Sequence, residues 1–179
     1  MHRISGVFQK TKRIHETPPC SVFSGYLGLR RRGERAVYLH EFAGVRLNQK
    51  PLVNCKTARA LDDWVRRGAK PAISNFGERL ESLRVGAHYT CRIRNNQPGG
   101  KVSEHGKGNA IDIAGFRLGN GTEISVLNDW GVGGKGKALS KMRRAACGRF
   151  GVVLGPVSDG FHEDHSHFDT SSLDQPYRK

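Results

Sequence analysis

Apolar residues recur along this chain with two different periods, and the changes of period mark out its elements. In NCKTARALDDWVRRG (54–68), Ala58, Leu61 and Val65 fall at i, i+3 and i+7 with Trp64 beside them, and Gly68 offers a stop. That spacing predicts an amphipathic helix. Over SLRVGAHYTCRIR (82–94) the period drops to two: Tyr89, Cys91 and Ile93 alternate with Thr90, Arg92 and Arg94, which predicts a strand broken near Gly86. NNQPGG (95–100) is a loop. Residues 110–118 and 122–127 read as a hairpin around Gly119-Asn120-Gly121. GVGGKGK (131–137) reads as a flexible loop. In 138–151, Leu139, Met142, Ala146 and Phe150 form the inward face of a helix that Gly151 ends. GVVLGP (151–156) is a short buried strand. Residues 1–50 are irregular and basic, with strand character at RAVYLHEF. No internal repeat is present. Hairpin links favour antiparallel pairing and the element order is mixed, so the expected class is α+β, a small, mostly antiparallel sheet flanked by helices. The expected organisation is a basic extension (1–50), a folded domain (51–170) and an exposed tail (171–179).

Composition narrows the class. The 179 residues suffice for one domain with a sizeable core, and 36% hydrophobic with 26% charged residues is a soluble, globular balance. No apolar run approaches the ~18–20 residues of a membrane span. MHRISGVFQKTKRIHETPPC is basic but has no apolar segment of the secretory kind. The chain is therefore expected to be a mature form, a cytosolic protein, or one exported by another route.

Charge changes the picture more. Thirty Lys and Arg against 16 Asp and Glu leave a net charge of +14, which attracts polyanions: nucleic acid, anionic lipid or acidic wall polymers. No zinc finger, basic zipper or RNP-like aromatic motif accompanies that charge, so specific nucleic-acid binding is not expected. The basic run LRRRGER (29–35) would serve any polyanion, or simply be a solvated loop.

Cys20, Cys55, Cys91 and Cys147 are widely spaced without a C-x-x-C pair, which argues against a zinc knuckle. An even number suits two disulfides and an oxidising compartment, with three pairings open; four buried free thiols is the other reading.

The candidate chemistry lies in two segments. SEHGKGNAIDIAG (103–115) separates His105 from Asp112 by Gly106, Gly108 and Asn109, all poor helix formers. A tight loop followed by a strand would fold His105 back beside Asp112. FHEDHSHFD (161–169) packs His162, His165 and His167 among three acidic residues. One of these histidines, with His105 and Asp112, would give three ligands and an open fourth position, the arrangement of a catalytic zinc site. Water there becomes acidic enough to yield hydroxide near neutral pH. Hydrolysis further needs a base, for which Asp164 or His165 is available, and a cation for the developing charge, for which Arg92 is placed upstream.

SEHGKGNAID reproduces S-x-H-x-x-G-x-A-x-D, and His165-Ser166-His167 a late H-x-H. Together they resemble the LAS metallopeptidases, which include D-Ala-D-Ala carboxypeptidases and murein endopeptidases and share a Hedgehog-type fold. The chain is most similar to the bacterial extensin-like C-terminal domain: Tyr89-Thr90-Cys91-Arg92, residues 103–116, ISVLNDW (124–130), Cys147 and residues 162–169 follow that family's pattern over about 50–170.

The resemblance implies a zinc-dependent hydrolase of peptidoglycan stem peptides or crosslinks, acting at an amide that involves a D-amino acid. It implies one zinc ion held by His105, Asp112 and His167. Asp164 falls where such enzymes place an acidic base, His165 and His162 where histidines line the site, and Arg92 where an arginine binds substrate, with Arg94 one register away. Ser103 would be a prop for the loop. It further implies Cys91–Cys147 and Cys20–Cys55 disulfides, muropeptides as partners, a monomer, and a periplasmic or extracellular location. This chain departs from the pattern in having Ser166 where an aromatic is usual, Gly-Lys-Gly after His105, and Asp rather than Glu at 164. A catalytically silent zinc-bearing wall-binding module and a basic polyanion-binding protein are the alternatives. A plant-wall role has no support in a chain with 7 Pro and no Ser-Pro repeats.

Overall fold

A computed structural model describes residues 36–94 and 101–171, with the backbone alone at 9–10 and 177–178. The fold is α+β. An eight-stranded mixed sheet is built from β3 (Glu41–Phe42), β4 (Val45–Leu47), β6 (Leu80–Ala87), β7 (Ala110–Leu118), β8 (Glu123–Ser125), β9 (Val152–Leu154), β10 (Ser166–Asp169) and β11 (Tyr177–Arg178). Its strand order is β11-β9-β10-β7-β6-β4-β3, with β8 paired to β7. β4–β6 and β9–β11 are parallel pairs and the others antiparallel, so the expected pairing sense largely holds while the sheet is larger than expected. A three-stranded antiparallel sheet joins β1 (Gln9–Lys10), β2 (Ala36–Tyr38) and β5 (Leu52–Asn54). Residues 36–50, read from sequence as extension, supply Val37, Leu39, Phe42 and Val45 to the core.

Helices cover one face of the large sheet. α1 (Cys55–Trp64) starts where the Asn54 side chain accepts the Thr57 N–H, and it buries Ala58, Leu61 and Trp64. The Trp64 ring meets Phe168 edge-on at 4.8 Å and Phe116 at 6.2 Å, and its indole N–H donates to the Met142 carbonyl. That contact ties α1, the sheet and α4 (Gly133–Ala146) into one core. The Asn54-to-Gly68 helix does not stop at Gly68: it runs on as a π-helical turn (Val65–Ala69) into α2 (Lys70–Ala72). Gly68 serves packing instead, because a Cβ there would stand 2.8 Å from the Ala145 Cβ and 3.0 Å from the Trp64 ring.

The late helix is also shifted from its expected span. It begins at Gly133, inside the expected loop, and ends at Ala146. A Cβ on Gly136 would meet the Gly131 backbone at 2.7 Å, so Gly136, which reads as flexibility, is what lets the first turn nest on 129–131, beyond α3 (Val126–Asp129). Phe150 lies past the helix yet is buried, stacked on Phe168 at 4.9 Å.

β6 ends at Ala87, so Arg92 lies beyond the strand that was expected to carry it. Compensating register shifts explain the pattern: Arg84 pairs Gly115, Val85 pairs Ile113 and Ala87 pairs Asp112, leaving Ala114 and Gly86 as the extra residues. The bulge at Ala114 changes the face that the alternation presents. Ile111, Ile113, Phe116 and Leu118 all reach the core, while Asp112 points away from the helices.

Candidate metal centre

The site forms on the face of the sheet opposite the helices, where β7 and β10 pair. Asp112 and His167 are directly opposed in that register, so their side chains emerge side by side. His105 is carried to them by a single 3₁₀ turn, Glu104–Lys107. The Ser103 hydroxyl accepts the His105 N–H at 3.3 Å, which gives Ser103 the propping role expected of it. Gly108, at φ 70°, closes the turn in the left-handed region. The loop is clamped from below: Glu104 accepts from Lys107 Nζ and Asn109 Nδ2, both at 2.6 Å, and Asn109 Oδ1 accepts from Asn54 Nδ2. The same Asn54 caps α1, so the helix start and the His105 loop share one buried polar network.

Three donor atoms converge. Asp112 Oδ1 lies 2.8 Å from His167 Nδ1 and 3.2 Å from His105 Nε2, and the two ring nitrogens are 3.2 Å apart. Donors about 2.0–2.1 Å from a tetrahedral zinc ion sit roughly 3.3 Å from one another, close to the spacing found here. The hydrogen-bond inventory supports the same assignment. His105 Nδ1–H donates to the His88 carbonyl at 2.9 Å, which leaves Nε2 with a lone pair. Asp112 offers only acceptors, and one proton on His167 Nδ1 serves one neighbour well. Three acceptor-capable atoms facing one point are satisfied by a cation. Two imidazoles and a carboxylate are donors suited to zinc, and they leave a fourth position open.

Asp112 and His105 are buried and His167 half-buried, so the centre is reached from the His167 side. Burial pushes the Asp112 carboxyl up, but hydrogen bonds and charge from His105 and His167 outweigh it and hold the group well below the usual carboxylate range. The site thus keeps an anion in a place that would otherwise neutralise it.

The remaining expected residues separate into two groups. His165 and His162 flank the three donors. His165 Nε2 is 3.5 Å from Asp112 Oδ2, and its Nδ1 is 2.6 Å from Asp164 Oδ1. The His162 ring centroid lies 5.1 Å from that of His165 and 5.5 Å from that of His167. Asp164, with its side chain 67% exposed, reaches the centre through the His165 ring. Arg92 and Arg94 belong to the other group. They sit on an extended segment joined to residues 101–103 (Ser103 N–H to Arg92 O at 2.9 Å, Arg94 N–H to Lys101 O at 2.8 Å), and both are exposed. Among the described residues, neither guanidinium contacts the three donors.

Two contributors escaped the sequence. His88 acts through its carbonyl oxygen, which leaves no side-chain signature. Asp159 accepts from His162 Nδ1 at 2.6 Å, and its only sequence sign was its place in a Ser-Asp-Gly turn three residues earlier. Burial pushes the His162 imidazole down, against the opposing pull of Asp159; the hydrogen bonds from His162 and the Phe161 N–H outweigh slight burial and draw the Asp159 carboxyl down. Burial, with the nearby His105, lowers His88.

The expected disulfide pairings do not form. Cys55 and Cys147 are free thiols, Cys55 packed against the core at the start of α1 and Cys147 at the end of α4 with its thiol donating to the Arg143 carbonyl. The Cys147 sulfur is thus engaged within its own helix end. Cys91 is disulfide-bonded, and Cys20 lies outside the described residues.

Fold and site together define an α+β domain with a His-Asp-His constellation able to hold one metal ion on the open face of a mixed sheet. Residues 13–178 match the family described as Extensin-like protein C-terminus, and the chain belongs to that family. No curated protein and no solved structure matches it. No helix among the described residues is long and apolar enough to cross a membrane.

Proposed function

We propose that this domain is a single-zinc peptidase that cuts an amide involving a D-amino acid in peptidoglycan stem peptides or crosslinks. The observation that supports the metal assignment is the convergence of His105 Nε2, Asp112 Oδ1 and His167 Nδ1 at 2.8–3.2 Å, near the roughly 3.3 Å between donors on a tetrahedral zinc ion. The substrate class rests on the resemblance of SEHGKGNAID and His165-Ser166-His167 to wall metallopeptidases. The charge of +14 suits an anionic wall, and a bonded Cys91 suits the periplasm or the cell exterior.

A zinc ion held by His105, Asp112 and His167 would supply a Lewis acid that polarises a carbonyl and acidifies water. The chain's part is proton handling. With Nδ1–H directed to Asp164, His165 carries its lone pair on Nε2, the atom beside Asp112. That nitrogen takes the proton of the attacking water and returns it to the departing amine. Asp164 holds the ring in the required tautomer. Between the two candidates for the base, this geometry favours His165, with Asp164 as its orienter. Arg92, exposed at the surface, is available to a carboxylate of the substrate.

The test is mass analysis of muropeptides incubated with metal-stripped protein before and after one equivalent of zinc, with His165→Ala alongside. The expected result is a zinc-dependent defined fragment and a loss of kcat on the order of 10²–10⁴ in a variant that still binds zinc. Stoichiometric zinc with no product from any muropeptide would replace this reading with the silent wall-binding module.

A further inference from the structure

The segment that leads into the site is held by its own hydrogen bonds. Gly155 N–H donates to the Ser158 hydroxyl at 3.0 Å, the Ser158 N–H returns to the Gly155 carbonyl at 2.9 Å, and Arg143 on α4 reaches the same hydroxyl at 3.4 Å. Within this turn Val157 adopts φ 76°, a left-handed conformation that a β-branched residue holds only where its surroundings enforce it. The next residue after the turn is Asp159. One of its oxygens, Oδ1, accepts the Phe161 N–H at 2.9 Å and lies 2.6 Å from His162 Nδ1. A single carboxylate oxygen therefore fixes both the backbone of the turn and the ring that follows it.

We propose that Asp159 is a positioning residue: it locks His162 in the Nδ1–H tautomer and presents the bare Nε2 as a hydrogen-bond acceptor for an N–H of the bound peptide. An ionised carboxylate only accepts, so the proton of the pair resides on Nδ1 and the lone pair on Nε2. The ring so fixed stands 5.5 Å from His167 and 5.1 Å from His165, centroid to centroid, beside the three donors. Two carboxylate–imidazole pairs, Asp159–His162 and Asp164–His165, then stand side by side on one segment with different tasks. The second faces Asp112 and handles the proton. The first stands beside His167 and reads the peptide. The peptide part of this inference rests on the function proposed above; the tautomer part does not.

The test uses the full chain loaded with one equivalent of zinc, with imidazole tautomers read by two-bond nitrogen–proton correlation NMR at about pH 8. His162 is assigned with His162→Gln. The expected spectrum has His162 as the Nδ1–H tautomer in the parent protein. It shifts to the Nε2–H form in Asp159→Ala, and in Asp159→Asn, whose amide can donate to Nδ1 while leaving an oxygen for the turn. In the muropeptide assay both variants retain zinc and lose kcat by about tenfold or more, as expected when an orienting carboxylate is removed. A parent spectrum showing Nε2–H at His162, or a tautomer unchanged in Asp159→Ala, overturns the proposal. So does full kcat in both variants, while leaving the peptidase intact. Absence of turnover in the parent protein removes the peptide-reading role with the peptidase, and the tautomer spectra still decide the positioning.

Discussion

Replacing Gly108 by Ala measures how far backbone geometry, rather than any side chain, assembles the centre. Gly108 ends the turn that carries His105, at φ 70°. Its N–H donates to the His105 carbonyl at 3.0 Å, and its own carbonyl accepts the Asn54 N–H at 2.9 Å and the Thr57 hydroxyl at 3.2 Å. An added Cβ meets two separate costs. The left-handed conformation costs an L-residue about 1–2 kcal/mol. The Cβ would also stand 3.2 Å from the Asn54 nitrogen and 3.6 Å from the Val53 carbonyl carbon, both backbone atoms, and relief requires a shift costing about 1–2 kcal/mol more. The expected loss is roughly 2–4 kcal/mol in urea unfolding, read as a lower midpoint at unchanged slope. Because His105 rides on the same turn, zinc affinity should fall by about tenfold, within the range for outer-shell changes. Gly106 is the control. Its φ is not left-handed, and its Cβ would touch the Val102 Cγ1 at 3.2 Å and the Thr90 carbonyl at 3.4 Å. Since a side chain can give way, Gly106→Ala should cost no more than about 1 kcal/mol. A Gly108→Ala protein within about 0.5 kcal/mol of the parent, or a Gly106→Ala protein that is the worse of the two, would refute the reasoning.

Acid should destabilise the metal-free protein in two stages. His88 and His162 have lowered values in the folded state, so their contribution is complete above the unfolded value of about 6.5 and fades as pH falls below it. Asp112, held low, adds stability above about pH 4 that is lost only below it. Urea midpoints flat from pH 7 to pH 4 would contradict the first stage, and an Asp112→Asn protein with an unaltered second stage would contradict the other. Alkylation in denaturant without reductant, followed by peptide mapping, should label Cys55 and Cys147 and spare Cys91; labelled Cys91 would contradict the cysteine assignment. Gly68→Ala should destabilise by about 1–3 kcal/mol, because its Cβ would meet Ala145 at 2.8 Å across the packed helices; a neutral or stabilising result would show that α4 yields there.

What was legible in the sequence was chemistry concentrated in short segments. The His105 loop and the His167 strand declared themselves because titratable residues and glycines stood together, and strand pairing across β7 and β10 then brings Asp112 opposite His167. Local periodicity failed where a distant contact decided the matter. Gly68 reads as a stop until Ala145 and Trp64 are seen against it, and Gly136 reads as part of a loop until Gly131 is seen against it. The alternation at Tyr89, Cys91 and Ile93 does not become a full strand: among the described residues, the isolated Ile93–Val102 bridge forms there. The cysteine pairing was out of reach because which sulfurs approach one another is a tertiary fact, and Cys55 and Cys147 stay free. His88 and Asp159 contribute through a carbonyl and a turn, which residue type alone does not announce.

Calorimetric zinc titration of the metal-stripped chain, with His105→Ala, Asp112→Ala and His167→Ala in parallel, measures the proposed three-donor zinc site itself. That site should bind one equivalent in the parent protein and lose affinity heavily in each variant. Failure of the parent to bind zinc stoichiometrically, or binding that survives all three substitutions, would contradict the proposal.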